Sequence, residues 1–271
     1  MQILREIIKN MTEVQITILG IAIIFVTTML GSSLVYFFKN GLSVKANTIF
    51  LGFAGGIMVA ASIFSLLLPS IEEASSYGKF SVVPATVGFL IGGAFLVLLD
   101  KITPHLHKGT SVEEGPNVQM KKTTRLFLAV TLHNMPEGLA IGFALGAATT
   151  SGVESSILAA LGLAIGIGAQ NFVEGAAIAL PISATSGSKN KGFILGTLSG
   201  AVEPVCAVLG YLLATYIQAL QPWLLAFAAG AMIFVVIEDL IPDAKAEDHP
   251  HLGTWSAMIG FALMMVLDVV M

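Results

Sequence analysis

Charge is what this sequence has least of. Asp, Glu, Lys and Arg make up only 11% of its 271 residues, while 55% are hydrophobic. The mean hydropathy is +0.87. A soluble domain carries roughly 25% charged residues, so this chain cannot cover a folded surface with polar groups, and the composition implies a polytopic membrane protein. Cysteine is nearly absent as well. The single Cys206 excludes an intramolecular disulfide and a thiolate cluster, and it leaves the redox compartment open. There is no basic cluster interleaved with aromatics, which excludes nucleic acid as a partner. The N-terminal stretch Met1 to Glu13 has no short apolar core followed by a small-residue cleavage site. It reads as an interfacial helix and not as a signal peptide.

What is present is a series of long apolar runs. A membrane-spanning helix needs about 20 mostly apolar residues. The runs predict eight spans, at 16–38, 48–70, 83–100, 125–149, 155–182, 191–217, 222–241 and 252–270. Their connections are short, apart from a polar loop over 101–124 that is expected to be mobile. No soluble second domain fits, so residues 1–271 read as one all-α membrane domain.

Basic residues set the expected orientation. Lys39, Lys45, Lys101, Lys108, Lys121, Lys122, Arg125, Lys189, Lys191 and Lys245 fall on one side, and Arg5, Lys9 and Lys79 on the other. The excess of Lys and Arg marks the first side as cytoplasmic and puts both termini outside. Glycines recur at four-residue spacing, as in Gly138, Gly142 and Gly146, in Gly162 and Gly166, and in Gly192, Gly196 and Gly200. Small residues stacked on one face let neighbouring backbones approach. The same smooth faces would also suit helices that slide.

Polar residues inside these runs carry the functional signal. His133 and Glu137 lie four apart and share a helix face, and Gln170 and Glu174 repeat that spacing in the next span. Asn134 and Asn171 widen each polar face, and Glu203 adds a third carboxylate, followed by Pro204. Three carboxylates with no Lys or Arg at comparable depth must be protonated, hydrated or bound to a cation. Imidazole, carboxylate and amide oxygen together suit a divalent transition metal. Pro136 should kink the fourth span and free carbonyls beside His133, Pro181 should bend the end of the fifth, and Pro204 the region just after Glu203. Bends beside polar residues in consecutive spans point to a transport site.

Other candidates admit a plainer account. Met58 is a soft donor or a packing residue. Cys206 reads as a small core residue, and Glu238 and Asp239 as solvated residues at the inner end of span seven. Glu72 and Asp268 close spans two and eight on the outer side, as solvated ends or as an entrance that attracts cations. His105 and His107 in one cytoplasmic loop, and His249 and His251 in another, would hold metal on the exit side or be ordinary surface histidines.

The motifs His133-Asn134-Met135-Pro136-Glu137-Gly138 and Gln170-Asn171-Phe172-Val173-Glu174-Gly175 resemble those of the ZIP (Zrt/Irt-like) family of divalent metal transporters. Glu203-Pro204, Met58 and the run Ser62-Ile63-Phe64-Ser65-Leu66-Leu67-Leu68-Pro69 look like its bacterial, GufA-like branch. The resemblance covers essentially the whole chain. It implies a mid-membrane site for two metals. Met58, His133, Glu137, Gln170, Glu174 and Glu203 would hold the first, and His133, Asn134, Glu137, Asn171, Glu174 and Glu203 the second. It also implies a three-two-three arrangement of helices in which spans one, four, five and six move against spans two, three, seven and eight. Zinc is the usual cargo, with iron, manganese or cadmium accepted by some members. The chain departs from many relatives at Gln170, where histidine is common, at Asn171, where some have aspartate, and at Val173, where proline is frequent. Fewer imidazoles and charges should weaken the second site and broaden selectivity toward harder metals.

The expected function is therefore uptake of zinc or a similar divalent cation into the cytosol through a multi-pass protein of the cell membrane, a bacterial inner membrane by its compactness. His133 would couple metal affinity to pH. The expected partners are the metal ions and the lipid bilayer, with a homodimer allowed and no nucleic acid, and no cofactor is called for. The competing class is an intramembrane metalloprotease using the same residues. A zincin would show His-Glu-x-x-His, which the sequence lacks. An organic-cation carrier would need a larger, more aromatic pocket.

Overall fold

A computed structural model describes residues 6, 8, 10–38, 43–102, 105–106, 113–114, 122–245 and 251–271. The first long helix, α1 (Glu13–Ser32), starts in a capping box: Thr12 accepts from the Gln15 N–H while the Gln15 side chain accepts from the Thr12 N–H. α2 (Val44–Ala60) is capped by Ser43, runs through a π-helical stretch Ala61–Leu67 and continues as α3 (Leu68–Glu73). α4 (Val82–Ile102) follows. Two-residue strands, His105–Leu106 and Glu113–Glu114, then pair antiparallel in the described part of the long loop.

α5 (Lys122–Ser151) and α6 (Glu154–Ser186) are the longest helices described, separated by Gly152 at φ 66. Gly187 at φ 68 ends α6, in the left-handed conformation that glycine adopts without steric penalty. α7 (Lys189–Ser199) and α8 (Val202–Tyr216) are followed by α9 (Gln221–Val235), a second π-helical stretch Val236–Leu240, α10 (Ile241–Asp243) and α11 (Leu252–Val270).

Among the described residues, seven helical segments are long and apolar enough to cross a membrane: Glu13–Tyr36, Val44–Phe80, Val82–Lys101, Glu154–Ser186, Lys189–Tyr216, Gln218–Asp243 and Leu252–Val270. Each overlaps an expected span. The eighth expected span, 125–149, lies within the 30-residue helix α5, which is not among the seven. His133, Asn134, Pro136 and Glu137 interrupt its apolar run. The interfacial helix expected at the N-terminus falls mostly outside the described residues, although Glu6 and Ile8 are helical.

Prolines act differently at different sites. α5 and α6 run through Pro136 and Pro181 without interruption. The sixth span, expected over 191–217 with a bend just after Glu203, is one apolar segment built of two helices, and the break falls just before Glu203. Pro204 has no N–H to offer the Gly200 carbonyl, and its ring crowds that oxygen. The Glu203 N–H bonds the Gly200 carbonyl at 3.1 Å instead, closing a tighter turn. The two π-helical stretches lie just before Pro69 and Pro242, whose missing N–H groups would have bonded the Ser65 and Glu238 carbonyls. In each stretch the following residue bonds five back, Leu68 to Ile63 and Ile241 to Val236.

Glycine contacts pair the helices. A β-carbon at Gly31 would lie 1.9 Å from the Phe172 carbonyl oxygen, one at Gly56 1.9 Å from that of Ala257, one at Gly92 2.0 Å from that of Phe227, and one at Gly142 2.2 Å from that of Ala207. No side chain fits there. The contacts advance in step: Gly138 meets Glu203, Gly142 meets Ala207 and Gly146 meets Tyr211, so α5 and α8 run parallel. The same reasoning pairs α1 with α6, α2 with α11 and α4 with α9. Residues Ile57, Met58, Ile141, Leu145, Ile167 and Met232 form one apolar cluster where these pairs meet.

Candidate metal centre

α5, α6 and the first turn of α8 carry the seven expected polar residues, and hydrogen bonds join Glu137, Gln170 and Glu174 in one set and Asn171 and Glu203 in another. Glu137, Gln170 and Glu203 are fully buried, Asn134 and Asn171 are 1% exposed, and Glu174 is 7% exposed. The Gln170 side chain links the two motifs: Nε2 donates to Glu137 Oε1 at 2.5 Å and to Glu174 Oε1 at 3.0 Å. Asn171 Nδ2 donates to Glu203 Oε2 at 2.6 Å and to the Ile24 carbonyl at 3.3 Å. Asn134 Nδ2 donates to the Ser199 carbonyl at 3.1 Å. An unbroken α-helix would have given that carbonyl the Glu203 N–H. The break at Pro204 thus supplies a partner that anchors Asn134.

At these residues the unmet hydrogen-bonding capacity is that of acceptor oxygens. Asn134 Oδ1, Glu137 Oε2, Gln170 Oε1 and Asn171 Oδ1 are buried oxygens without a hydrogen-bond partner among the described residues. A buried acceptor left unpaired costs about 1–3 kcal/mol. Four in one place call for a donor or a cation. In the arrangement described, the Gln170 amide nitrogen stands between the Glu137 and Glu174 carboxylates, and the Asn171 nitrogen between the Glu203 carboxylate and the Ile24 carbonyl. No group of three or more His, Cys, Asp or Glu side chains among the described residues is spaced to hold a metal ion.

His133 faces another way. Its Nε2 lies 3.2 Å from Asp239 Oδ2, with the two side chains 14% and 16% exposed. Asp239 was expected to be a solvated end residue, and that is corrected: the π-helical stretch after α9 turns it toward α5. His133, Glu174, Asp239 and Asp243 line a cavity of about 50 Å³. Asp239 and Asp243 were not candidates from sequence. The pattern that would have exposed them is the proline after an acidic pair, Glu238-Asp239-Leu240-Ile241-Pro242.

Toward the opposite end of the bundle, Glu72 and Asp268 line one cavity of about 640 Å³ together with Glu73 and Ser65. Ser65 Oγ donates to Asp268 Oδ1 at 2.7 Å. Met58 is fully buried in the apolar cluster, and its carbonyl accepts from Ser62 Oγ at 2.7 Å. Cys206 is buried beside Gly138. His251 is exposed at the start of α11, the side chain of His105 is not described, and His107 and His249 lie outside the described residues.

The family model described as "ZIP Zinc transporter" matches residues 119–268, which hold His133, Asn134, Glu137, Gln170, Asn171, Glu174 and Glu203 but not Met58. The chain belongs to the ZIP zinc transporter family. It is 34% identical to zinc transporter ZIP11 of Xenopus tropicalis, over 93% of this chain and 96% of the relative. It is 34% identical to zinc transporter GufA of Myxococcus xanthus, over 84% and 88%. Zinc transporter ZIPB of Bordetella bronchiseptica is 33% identical, over 96% and 82%. These ZIP relatives are named as transporters, not enzymes, and nothing in the site favours the protease alternative. With several apolar helices, this ZIP chain is a multi-pass membrane protein.

Proposed function

We propose that the protein carries zinc, or a similar divalent transition-metal cation such as cadmium, iron(II) or manganese, across the membrane into the cytosol. The observation that carries this reading is the set of buried carboxylates and unpaired oxygens at Asn134, Glu137, Gln170 and Asn171, placed between two cavities at opposite ends of the bundle. A half-turn of the Gln170 and Asn171 amides would replace nitrogen by oxygen at the carboxylates, converting hydrogen-bond bridges into ligands. The cation would then satisfy oxygens that have no donor and neutralise charges that the membrane disfavours.

In this reading two metals share the site. Met58, His133, Glu137, Gln170, Glu174 and Glu203 take one, and His133, Asn134, Glu137, Asn171, Glu174 and Glu203 the other. Glu72 and Asp268 attract the ion at the outer cavity, and His105, His107, His249 and His251 receive it on the cytoplasmic side. The chain is one membrane domain of eight spans in a three-two-three arrangement with both termini outside, placed in a bacterial inner membrane. The group of α1, α5, α6 and α7–α8 moves against the group of α2–α3, α4, α9–α10 and α11, exposing the site to each cavity in turn.

The test is metal entry into proteoliposomes, comparing zinc, cadmium, manganese and iron(II) for the wild type and Glu174→Ala. Saturable flux that the mutant loses supports transport through the paired motif, and the ranking of metals gives selectivity. Folded protein that binds metal but moves none would overturn the proposal.

A further inference from the structure

α1 contributes none of the proposed ligands, yet it touches two of them. Thr28 is 1% exposed, and its hydroxyl lies 3.4 Å from Glu203 Oε1 and 3.0 Å from the Ile24 carbonyl. The other carboxylate oxygen of Glu203 accepts from Asn171, whose nitrogen also reaches the Ile24 carbonyl. Thr28 and Asn171 therefore hold one oxygen each of the same carboxylate, and both are tied to one backbone carbonyl of α1.

Two glycines bring α1 this close. A β-carbon at Gly175 would lie 2.3 Å from the Thr28 carbonyl oxygen, and one at Gly200 2.7 Å from Thr28 Cγ2. Gly200 sits in the turn that breaks the sixth span, three residues before Glu203, whose N–H bonds its carbonyl. The helix break, the threonine and the carboxylate form one packed unit. The hydroxyl has one hydrogen and two acceptors in reach, the Ile24 carbonyl at 3.0 Å and Glu203 Oε1 at 3.4 Å, and a carboxylate held ionised by a bound metal would be the stronger acceptor.

We propose that Thr28 is a positioning residue for Glu203, holding its carboxylate in the orientation that receives the metal; the inference rests on the metal-site reading above. Glu203 is the one proposed ligand carried by α8, at the start of a helix whose preceding turn is irregular. With only Asn171 to hold it, the carboxylate would be free to rotate about that single contact.

The test is equilibrium binding of zinc or cadmium to the full-length protein in nanodiscs, together with zinc uptake by proteoliposomes across a range of zinc concentrations. Thr28→Val keeps the shape and removes the hydroxyl. It should weaken binding and raise the half-saturation concentration about tenfold, the low end for a hydrogen bond to a charged group. The maximal rate should change less than twofold and the melting temperature without metal should stay the same. Thr28→Ser should restore wild-type binding, and in a Glu203→Gln background Thr28→Val should add nothing. If valine does not fold, serine against alanine makes the same comparison. Wild-type binding in Thr28→Val, or loss in Thr28→Ser equal to that in valine, overturns the inference. Wild-type binding and flux in Glu203→Gln would instead overturn the site reading itself.

Discussion

His133 Nε2 lies 3.2 Å from Asp239 Oδ2, joining the fourth expected span to the π-helical stretch of the seventh. The contact ties α5 to the end of the helix that begins as α9, and both residues line the smaller cavity. A carboxylate on an imidazole fixes the ring's orientation and raises its basicity as a ligand.

Asp239→Asn keeps the size of that partner and removes its charge. Metal affinity at the site should fall about tenfold, the lower end of the range for losing such a partner. Equilibrium zinc binding checks this, and an unchanged affinity would show that the contact is only structural.

Glu137 is fully buried, and Gln170 is its hydrogen-bond partner. Glu137→Gln preserves the packing and removes a charge that the cation must neutralise. Saturable zinc uptake should drop to the background of empty liposomes while the protein stays folded and monodisperse. Normal flux from well-folded Glu137→Gln would remove this residue from the metal centre.

Gln170 contributes an amide where an imidazole would be a softer donor. Gln170→His should shift the preference toward zinc and cadmium over manganese. Competition of each metal against radioactive zinc uptake measures the shift. A variant with the wild-type ranking would mean that Gln170 does not govern selectivity.

Gly56 and Gly92 show how tightly the helices outside the site are joined, since a β-carbon at either would lie within 2.0 Å of a carbonyl oxygen on the neighbouring helix. Gly56→Leu and Gly92→Leu should each destabilise the fold by at least the roughly 1–3 kcal/mol typical of overpacking. A lowered melting temperature in detergent would show it. An exposed glycine such as Gly78, with nothing within 4 Å, serves as the control for added bulk, its positive φ being the only strain.

Much was legible in the chain itself. Scarce charge and long apolar runs determined the membrane class, because such a composition cannot cover a surface in water. The two motifs at His133–Gly138 and Gln170–Gly175 carried the resemblance to the ZIP family that the family match bears out, and their four-residue spacing put His133 with Glu137 and Gln170 with Glu174 on shared helix faces. The glycine spacing foretold close helix contacts, though not which helices would meet.

Tertiary structure decided the rest. It broke the sixth span before Glu203, because Pro204 acts on the carbonyl four residues earlier and the freed Ser199 carbonyl was taken by Asn134. It turned Asp239 from an expected solvated end into the partner of His133, since a π-helical stretch rotates the residues before Pro242 away from their α-helical direction. And it brought Thr28 to Glu203 across a long stretch of chain, a proximity that depends on the backbone approach at Gly175 and Gly200 and that leaves no periodic trace in the sequence.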